Sequence, residues 1–411
     1  MANNFLIIGW VSMRILWFLQ NALEVASMFN TEWETEFTGK AFAVGSSFQI
    51  KVPQSWLVTD GLGYDPQGIN RISTTVNLDQ IFGIHFEWDS YERLVKMERS
   101  QEELEENYLF PAARQLAQEV DSRSALWALL NTSNVVGTLG TDSSTIGPFM
   151  DADRRLFEKA CPLGKRHLCI SPSLMDAYVT ANVTQFNPAA EISRMYRTGV
   201  IGTAAGFEWY RSNSIYKMTA GTAASHAVTM VSANQSGNTI TITGTLNDTI
   251  KQGDKFSIAN VNGVNPRTRR AGSMGAQHFV AQQDLTLTGG NDTLAILPAI
   301  YGPGSQYQNV DALNAAGAAL TFWPGTTNPS GKSGLVSLAL SKYAFAIAGG
   351  KFENPKAVER AENATDEDTG MSIAFVRAWD QRERKMTNRY DMCIGFGNLY
   401  QDNGAVAIAG A

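Results

Sequence analysis

Between Val76 and Trp88 nearly every even position is apolar (Val76, Leu78, Phe82, Ile84, Phe86, Trp88), while the odd ones include Asn77, Asp79, His85 and Glu87. Alternation sustained this far is the period of a long β-strand with one apolar and one solvated face. A second run, Phe48, Ile50 and Val52 alternating with Gln49 and Lys51, stops at Pro53. The residues between are rich in turn formers (Asp60, Gly61, Gly63, Asp65, Pro66, Gly68, Asn70), so the two runs predict the arms of a long β-hairpin with an extended tip. A hairpin cannot bury its apolar face alone. With no covering helix nearby in sequence, the cover is expected to be another copy of the chain.

The N-terminal stretch points the same way. Ile8, Val11, Ile15, Phe18, Leu19, Ala22, Leu23 and Ala26 recur at helical spacing and need a partner surface, as an arm packing on a neighbouring subunit would. Arg14 interrupts Phe5 to Leu19, and no positive charge precedes it, so neither a membrane span nor an export signal is expected. Ser100 followed by Glu103 forms a capping box that starts a helix, and Leu109, Ala112, Ala113, Leu116, Val120, Trp127 and Leu130 continue one apolar stripe to Asn131. Pro111 falls inside this stripe and is expected to bend or break it.

From Met150 to Ile215 short helical and strand patterns mix: a helix near Asp151 to Ala160, a strand at His167 to Ile170, and a helix at Pro172 to Thr180. Composition shifts near Met218. From Gly221 to Ser333 seven short strand patterns (227–232, 239–243, 255–259, 277–281, 285–288, 293–296, 319–323) alternate with Gly237-Asn238, Gly253-Asp254, Asn262-Gly263 and Gly289 to Asp292, which predicts a small β-barrel. The mixed pattern resumes at Leu335, so the barrel is an insertion into a host domain. Met371, Ile373 and Phe375, then Tyr390, Met392, Ile394 and Phe396, flank the charged run Asp380 to Lys385 and predict a second hairpin.

Charge and chemistry restrict the function further. With 33 basic and 39 acidic side chains the formal net charge is −6, which gives no reason to hold phosphates over a broad surface. Three cysteines (Cys161, Cys169, Cys393) make no disulfide framework and fit a reducing compartment, and the spacing of Cys161, His167 and Cys169 is not that of a structural zinc site. Gly325 to Ser333 approaches a phosphate-binding loop but has one residue too many between its glycines, and Pro329 removes a donor; a flexible exit from the insertion explains it better. Asp151 and Asp153 read as first-turn helix carboxylates rather than metal ligands, and Asp366, Glu367 and Asp368 as a solvated turn. His85, His167, His226 and His278 lie in separate segments with no nucleophile setting, so no catalytic residue, cofactor or metal is assigned. Arg267, Arg269 and Arg270 form the one compact basic cluster, for which pairing with acidic residues of a neighbouring subunit is expected over nucleic-acid contact, beside the alternative of a solvated loop.

Several strings, in this order, carry a resemblance: VGSSFQIKVP (Val44 to Pro53), TTVNLDQIFGIHFEW (Thr74 to Trp88), YRTGVIGTAAGFEWYRSNSI (Tyr196 to Ile215), KQGDKFSIANVNGVNPRTRR (Lys251 to Arg270), LVSLALSKYAFAIAGG (Leu335 to Gly350) and TGMSIAFVRAWDQRERKMTNRYDMCIGFG (Thr369 to Gly397). The chain resembles, over nearly its whole length, the major capsid (coat) proteins of tailed double-stranded DNA phages, and more closely the podovirus coat family with an inserted domain on the Hong Kong ninety-seven capsid fold. The resemblance implies an α+β fold with an N-terminal arm (residues 1–30), an extended loop (31–84), a peripheral domain with a long spine helix (85–135), an apical domain (136–218), an inserted β-barrel (219–333) and a return to both host domains (334–411).

The implied activity is assembly: hexamers and pentamers closing into an icosahedral shell around double-stranded DNA, formed as a procapsid in the host bacterial cytoplasm and expanding on packaging. The implied partners are further copies of the chain, a scaffolding protein, a portal protein, packaged DNA held without sequence preference, and a decoration protein where one is used; no membrane is involved. Some capsids of this fold crosslink lysine to asparagine, and no motif here licenses that step. An encapsulin-like compartment is the alternative, disfavoured by the insertion. On this reading Ile8, Ile15, Leu19, Phe48, Ile50, Val76, Leu78, Arg267, Arg269 and Arg270 are expected at subunit contacts, and Pro111, Gly199, Gly202 and Gly206 at bends or hinges.

Overall fold

A computed structural model of the chain describes residues 23–31, 47–51, 55–58, 61, 66–69, 73–89, 110–162, 164–182, 203–323, 331–355, 358, 360–365, 371–400, 402 and 404–410. Strands β1 (Ser47–Lys51) and β2 (Ser73–Asp89) precede helix α1 (Phe110–Asn131). Then follow β3 (Asn134–Val136), α2 (Gly147–Glu158), β4 (Arg166–Ile170), α3 (Pro172–Asn182), β5 (Thr203–Ala204), β6 (Phe207–Arg211) and β7 (Lys217–Thr219). The insertion holds β8 (Val228–Met230), β9 (Gly237–Thr243), β10 (Thr249–Ile250), β11 (Lys255–Val264), β12 (Ala271–Ala281), β13 (Leu285–Thr286), β14 (Asp292–Ile300) and β15 (Ala319–Phe322). Strands β16 (Ser333–Ser341), β17 (Phe345–Gly350), β18 (Arg360–Thr365), β19 (Ser372–Asp380), β20 (Lys385–Asn398) and β21 (Ala405–Ala409) complete it. The result is α+β and mostly strand.

The chain divides into two compact units. The first comprises Met1–Ile50, Ser73–Ser124 and Phe345–Asn398. Its sheet runs β1-β2-β20-β19-β18, with β17 also on β20. The predicted C-terminal hairpin is present, closed by Asp380 opposite Lys385. Strand β2 pairs antiparallel with β20, but three steps on β2 (Asn77 to Gln80) match two on β20 (Phe396 to Ile394), a one-residue bulge. Because side chains alternate with period 2, that extra residue moves the apolar set across the sheet. Leu78 lies against Gly350 and Gly395, whereas Phe86 stacks on Tyr390 of the other face. The unbroken alternation from Val76 to Trp88 therefore does not give one apolar face; it serves one face before the bulge and the opposite face after it.

Helix α1 buries Ala113, Leu116, Ala117 and Val120 at three- and four-residue spacing. Helix α1 is described from Phe110, and residues 90–109 lie outside the described residues. Pro111 is the second residue of the helix as described, and the expected capping residue Ser100 lies outside the described residues. Leu23, Val25, Ala26, Met28 and Phe29 are buried, and Asn30 bridges to Ala346 beside β17. Of the residues assigned to the arm, 23–30 are therefore part of the first unit's own core, because aromatic partners Phe345 and Phe396 receive Phe29 there.

The second unit comprises Lys51–Ile72, Ala125–Ala344 and Leu399–Ala411. Its mixed sheet runs β3-β21-β16-β4-β6-β5, with β7 on β16. Helices α2 and α3 cover it through Phe149, Leu156, Leu174 and Tyr178 against Leu168, Trp209 and Ile408. The insertion closes as a barrel in the order β11-β12-β14-β9-β8-β15, filled by Ile242, Phe256, Phe279, Leu294 and Ile296. Seven predicted strands are all present; β13 pairs with β10 outside the barrel. Asn262-Gly263, expected to separate strands, instead sits inside β11 at a register shift against β12, so those two strands are longer than their apolar runs.

Candidate assembly surfaces

The geometry of interest is what each unit leaves uncovered and what it ties down. The hairpin illustrates both. Ile50 and Val76 are 2% and 1% exposed, covered within their own unit, which removes them as surfaces for a neighbour. Leu78 is half-buried, and the Phe48 side chain lies outside the described residues, as do Ile8, Ile15 and Leu19. The tip behaves differently: Trp56, Val58 and Ile69 are 57%, 93% and 74% exposed. Two of its described residues are tied to each other: the Leu57 N–H donates to Gln67 Oε1 at 2.8 Å and Gln67 Nε2 donates back to the Leu57 oxygen at 2.5 Å.

The tip is also held from the insertion. Arg269 Nη2 donates to the Gln306 oxygen at 3.0 Å and reaches the Trp56 oxygen at 3.5 Å, and Gln306 Nε2 donates to the Ser55 oxygen at 2.6 Å. Arg269 was expected at a subunit contact, but it is spent within the chain on main-chain oxygens, the groups a fork of N–H donors satisfies best when no carboxylate is near. It lies on the turn joining β11 to β12, where the Asn265 side chain accepts the N–H of Arg267 at 2.9 Å and of Thr268 at 3.2 Å. That turn turns Arg267 and Arg270 outward, and both are exposed.

Gly206 was expected at a hinge. It forms with Ala205 the two-residue connection between β5 and β6, and both have positive φ (+81° and +52°), the conformation of a tight hairpin turn. Gly199 and Gly202 lie outside the described residues.

Among the described residues, the carboxylates and histidines considered for other chemistry have partners within the chain; Asp366, Glu367 and Asp368 lie outside the described residues. Asp151 pairs with Arg154 at 3.1 Å and Asp153 with Arg166, and both stand in the body of α2 rather than its first turn. His85 meets Asp391 at 3.1 Å, His167 meets Glu208 at 3.3 Å and His226 meets Asp248 at 2.9 Å, three separate places. The three cysteines are buried free thiols, and burial raises Cys161 and Cys393 above the ordinary thiol range. Among the described residues no group of three or more His, Cys, Asp or Glu could hold a metal ion, and no helix is long and apolar enough to cross a membrane. Of Gly325 to Ser333, residues 325–330 lie outside the described residues, and Ser333 opens β16.

What the sequence did not disclose is how the insertion is seated. Lys255, at the start of β11, is buried; its Nζ donates to the Leu129 oxygen and the Gly253 oxygen, both at 3.0 Å, and Gln282 Nε2 donates to the Leu130 oxygen at 3.1 Å. The Leu129 and Leu130 oxygens are carbonyls of the last turn of α1, which lack intrahelical donors and carry the negative end of the helix dipole. Burial without a bonded carboxylate pushes Lys255 down to about 7. On β12, His278 Nδ1 accepts the Val135 N–H at 3.2 Å, and burial beside Arg155 and Lys159 holds its imidazole down at about 3, in the neutral form that can accept.

The second unit is thus a mixed sheet interrupted by a closed barrel, and the hairpin tip bears exposed aromatic and aliphatic side chains. The sequence profile described as "P22 coat protein - gene protein 5" matches residues 44–402. The chain belongs to this coat protein family. A member of it is a major capsid protein, whose place is the capsid of the virion and whose contacts are made in a lattice of identical subunits. Solved structures with a similar course of the chain include one from Mycobacterium phage Che8 (13% identity, 95% of this chain and 92% of that one, TM-score 0.46). Another is the capsid of cyanophage P-SCSP1u (12% identity, 90% and 85%, TM-score 0.42). A virus-like particle from Pyrococcus furiosus (8% identity, 97% and 98%, TM-score 0.38) is also similar. None of the curated proteins compared with the chain matches it.

Proposed function

We propose that this coat protein assembles as hexamers and pentamers into an icosahedral shell around double-stranded DNA, first as a procapsid with a scaffolding protein and a portal at one vertex, in the host bacterial cytoplasm. The observation that carries this reading is the tip of the extended hairpin, where Trp56, Val58 and Ile69 stand exposed together with no function in a lone chain. Exposed apolar groups of this size on an extension are costly in water and are covered when copies meet, and symmetric repetition multiplies each modest contact into a closed particle. Arg267 and Arg270 are exposed cations of the insertion that would pair with acidic groups of a neighbour. The mild net acidity keeps packaged DNA from adhering to the wall. The reading assigns the chain no covalent or catalytic step.

The test is concentration-dependent assembly of the purified full-length chain, followed by sedimentation and negative-stain microscopy, beside the double variant Trp56→Ser/Val58→Ser. Shells or five- and six-membered rings are expected from the parent chain and loss of them from a folded variant. A parent chain that stays monomeric at all concentrations, with or without scaffolding protein, overturns the proposal. The encapsulin-like alternative is separated by co-expression: closed shells forming around a cargo enzyme without scaffold or portal would favour it.

A further inference from the structure

The insertion enters and leaves its host on a short two-stranded stalk. Thr219 is opposite Ser333, and the Ala220 N–H donates to the Lys332 oxygen at 3.0 Å. A barrel on such a stalk could swing, yet two buried side chains and a partly buried one, from three distant parts of the second unit, meet there. Lys159, the residue capping the C-terminal end of α2, donates from Nζ to Asp402 Oδ2 at 2.6 Å and to Gln277 Oε1. Gln277, on barrel strand β12, donates from Nε2 to Asp402 Oδ1 at 2.7 Å. The three form a closed ring in which the ammonium, the amide and both carboxylate oxygens are each engaged. Lys159 and Gln277 are fully buried, and Asp402 belongs to the segment leading into β21.

The surroundings are shaped for this ring. Gly263, at the register shift of β11, leaves room that a side chain would take: a Cβ there would stand 2.8 Å from Gln277 Oε1 and 3.4 Å from Lys159 Nζ. Asn134 Nδ2 donates to the Asp402 main-chain oxygen at 2.7 Å, which ties the third member to the first residue of β3. Beside the ring, Asn265 Nδ2 donates to the Glu158 oxygen at 2.7 Å, so the C-terminal carbonyls of α2 are capped from the barrel as those of α1 are.

We propose that the Lys159–Gln277–Asp402 ring is a lock that fixes the inserted barrel to its host body. The barrel and its host then move as one body, and the stalk at 219–221 and 332–333 is not where the subunit flexes. A buried ion pair suits such a role, because removal of one partner strands the other in a medium that solvates it poorly, which penalises intermediate orientations. The lock stands on this geometry alone and does not depend on shell assembly.

Hydrogen exchange of the full-length chain tests it. The informative amide is Val135, whose N–H points to the barrel and donates to His278. In Lys159→Met, Val135 is expected to exchange at least tenfold faster while the β9 and β14 ladder, exemplified by Leu294 opposite Ile240, keeps its protection. The double variant Lys159→Met/Asp402→Leu, which removes both charges, should return most of the lost protection at Val135. Unchanged exchange at Val135 in Lys159→Met overturns the lock, as does equal acceleration of Val135 and the barrel ladder. If Lys159→Met yields no folded chain, Asp402→Asn keeps the outline of the ring without the carboxylate charge and is judged by the same two outcomes.

Discussion

Asp121, on the buried face of α1, accepts the main-chain N–H of Ala26 at 2.9 Å and that of Glu24 at 2.7 Å, although 95 and 97 residues separate the partners. One carboxylate thereby fixes the root of the N-terminal segment on the helix, where Val25 to Phe29 join the core of the first unit. Asp121→Ala should leave both amides without their acceptor and cost roughly 2–3 kcal/mol, with faster exchange confined to residues 24–29. Urea unfolding together with exchange mapping checks both parts; a uniform loss of protection would contradict a local anchor.

The same residue predicts a pH dependence. Burial raises Asp121 from the ordinary 3.8 to about 6. Between those values the folded chain holds a proton that the unfolded chain has released, so this group's contribution to stability falls as pH rises through the window and is flat above it. Asp121→Asn cannot ionise, and the difference in unfolding free energy between it and the parent should change between pH 4 and 6 and stay constant from pH 6.5 to 8.

Gly395 and Gly397 line β20 where β2 bulges across it. A Cβ on Gly395 would collide with the Asn77 carbonyl oxygen, and one on Gly397 with the Val76 side chain. Main-chain atoms cannot give way as a flexible side chain can, so Gly395→Ala should force β2 off β20 and cost about 3 kcal/mol or more. Gly68→Ala, in the hairpin tip with open space around it, is the control and should stay within about 0.5 kcal/mol. Thermal melts of the three chains decide it, and equal losses in both variants would sink the argument.

These glycines also mark where the sequence could be read and where it could not. The β19–β20 hairpin and the barrel strands were legible because alternation and Gly-Asn or Gly-Asp turns are local signals, complete within ten residues. The bulge at Asn77 to Gln80 was not, because the strand it forms against, with Gly395, lies more than 300 residues later, and an uninterrupted alternation hides the change of face. The burial of Leu23 to Phe29 was missed for a like reason: helical spacing shows that a segment has an apolar stripe but not which surface receives it. Lys159 and Asp402, 243 residues apart, look in sequence like any two surface charges. The coat family was recognisable from the order of the parts, whereas Ile50, Val76 and Arg269 were assigned outward because nothing local distinguishes a residue covered by its own chain from one covered by a neighbour.

Arg269 tests the fastening of the hairpin tip. Its guanidinium and Gln306 hold main-chain oxygens of Ser55, Trp56 and Gln306 itself, bonds that are partly exposed and cheap to lose. Arg269→Ala should lower stability by less than about 1 kcal/mol yet increase proteolytic cleavage between 55 and 69 and slow assembly, since an unfastened tip loses its preset orientation. Normal assembly rates with increased cleavage would show that the orientation of the tip is set by the neighbour instead.

Lys255 closes the series, because its ammonium is buried against helix carbonyls rather than a carboxylate. Its folded-state value of about 7 lies below the ordinary 10.5, so between those limits the unfolded chain binds the proton that the folded chain has given up. Stability therefore rises with pH across that window, with a slope of up to about 1.4 kcal/mol per pH unit for one proton, and below pH 7 the burial cost is present in full. Lys255→Met keeps the aliphatic stem, removes this slope and leaves the Leu129 oxygen without its donor. Urea unfolding at pH 6.5, 8 and 9.5 should show the parent gaining on Lys255→Met at each step. Parallel pH profiles would mean that Lys255 keeps its proton throughout, held by the dipole of α1 more firmly than burial opposes it.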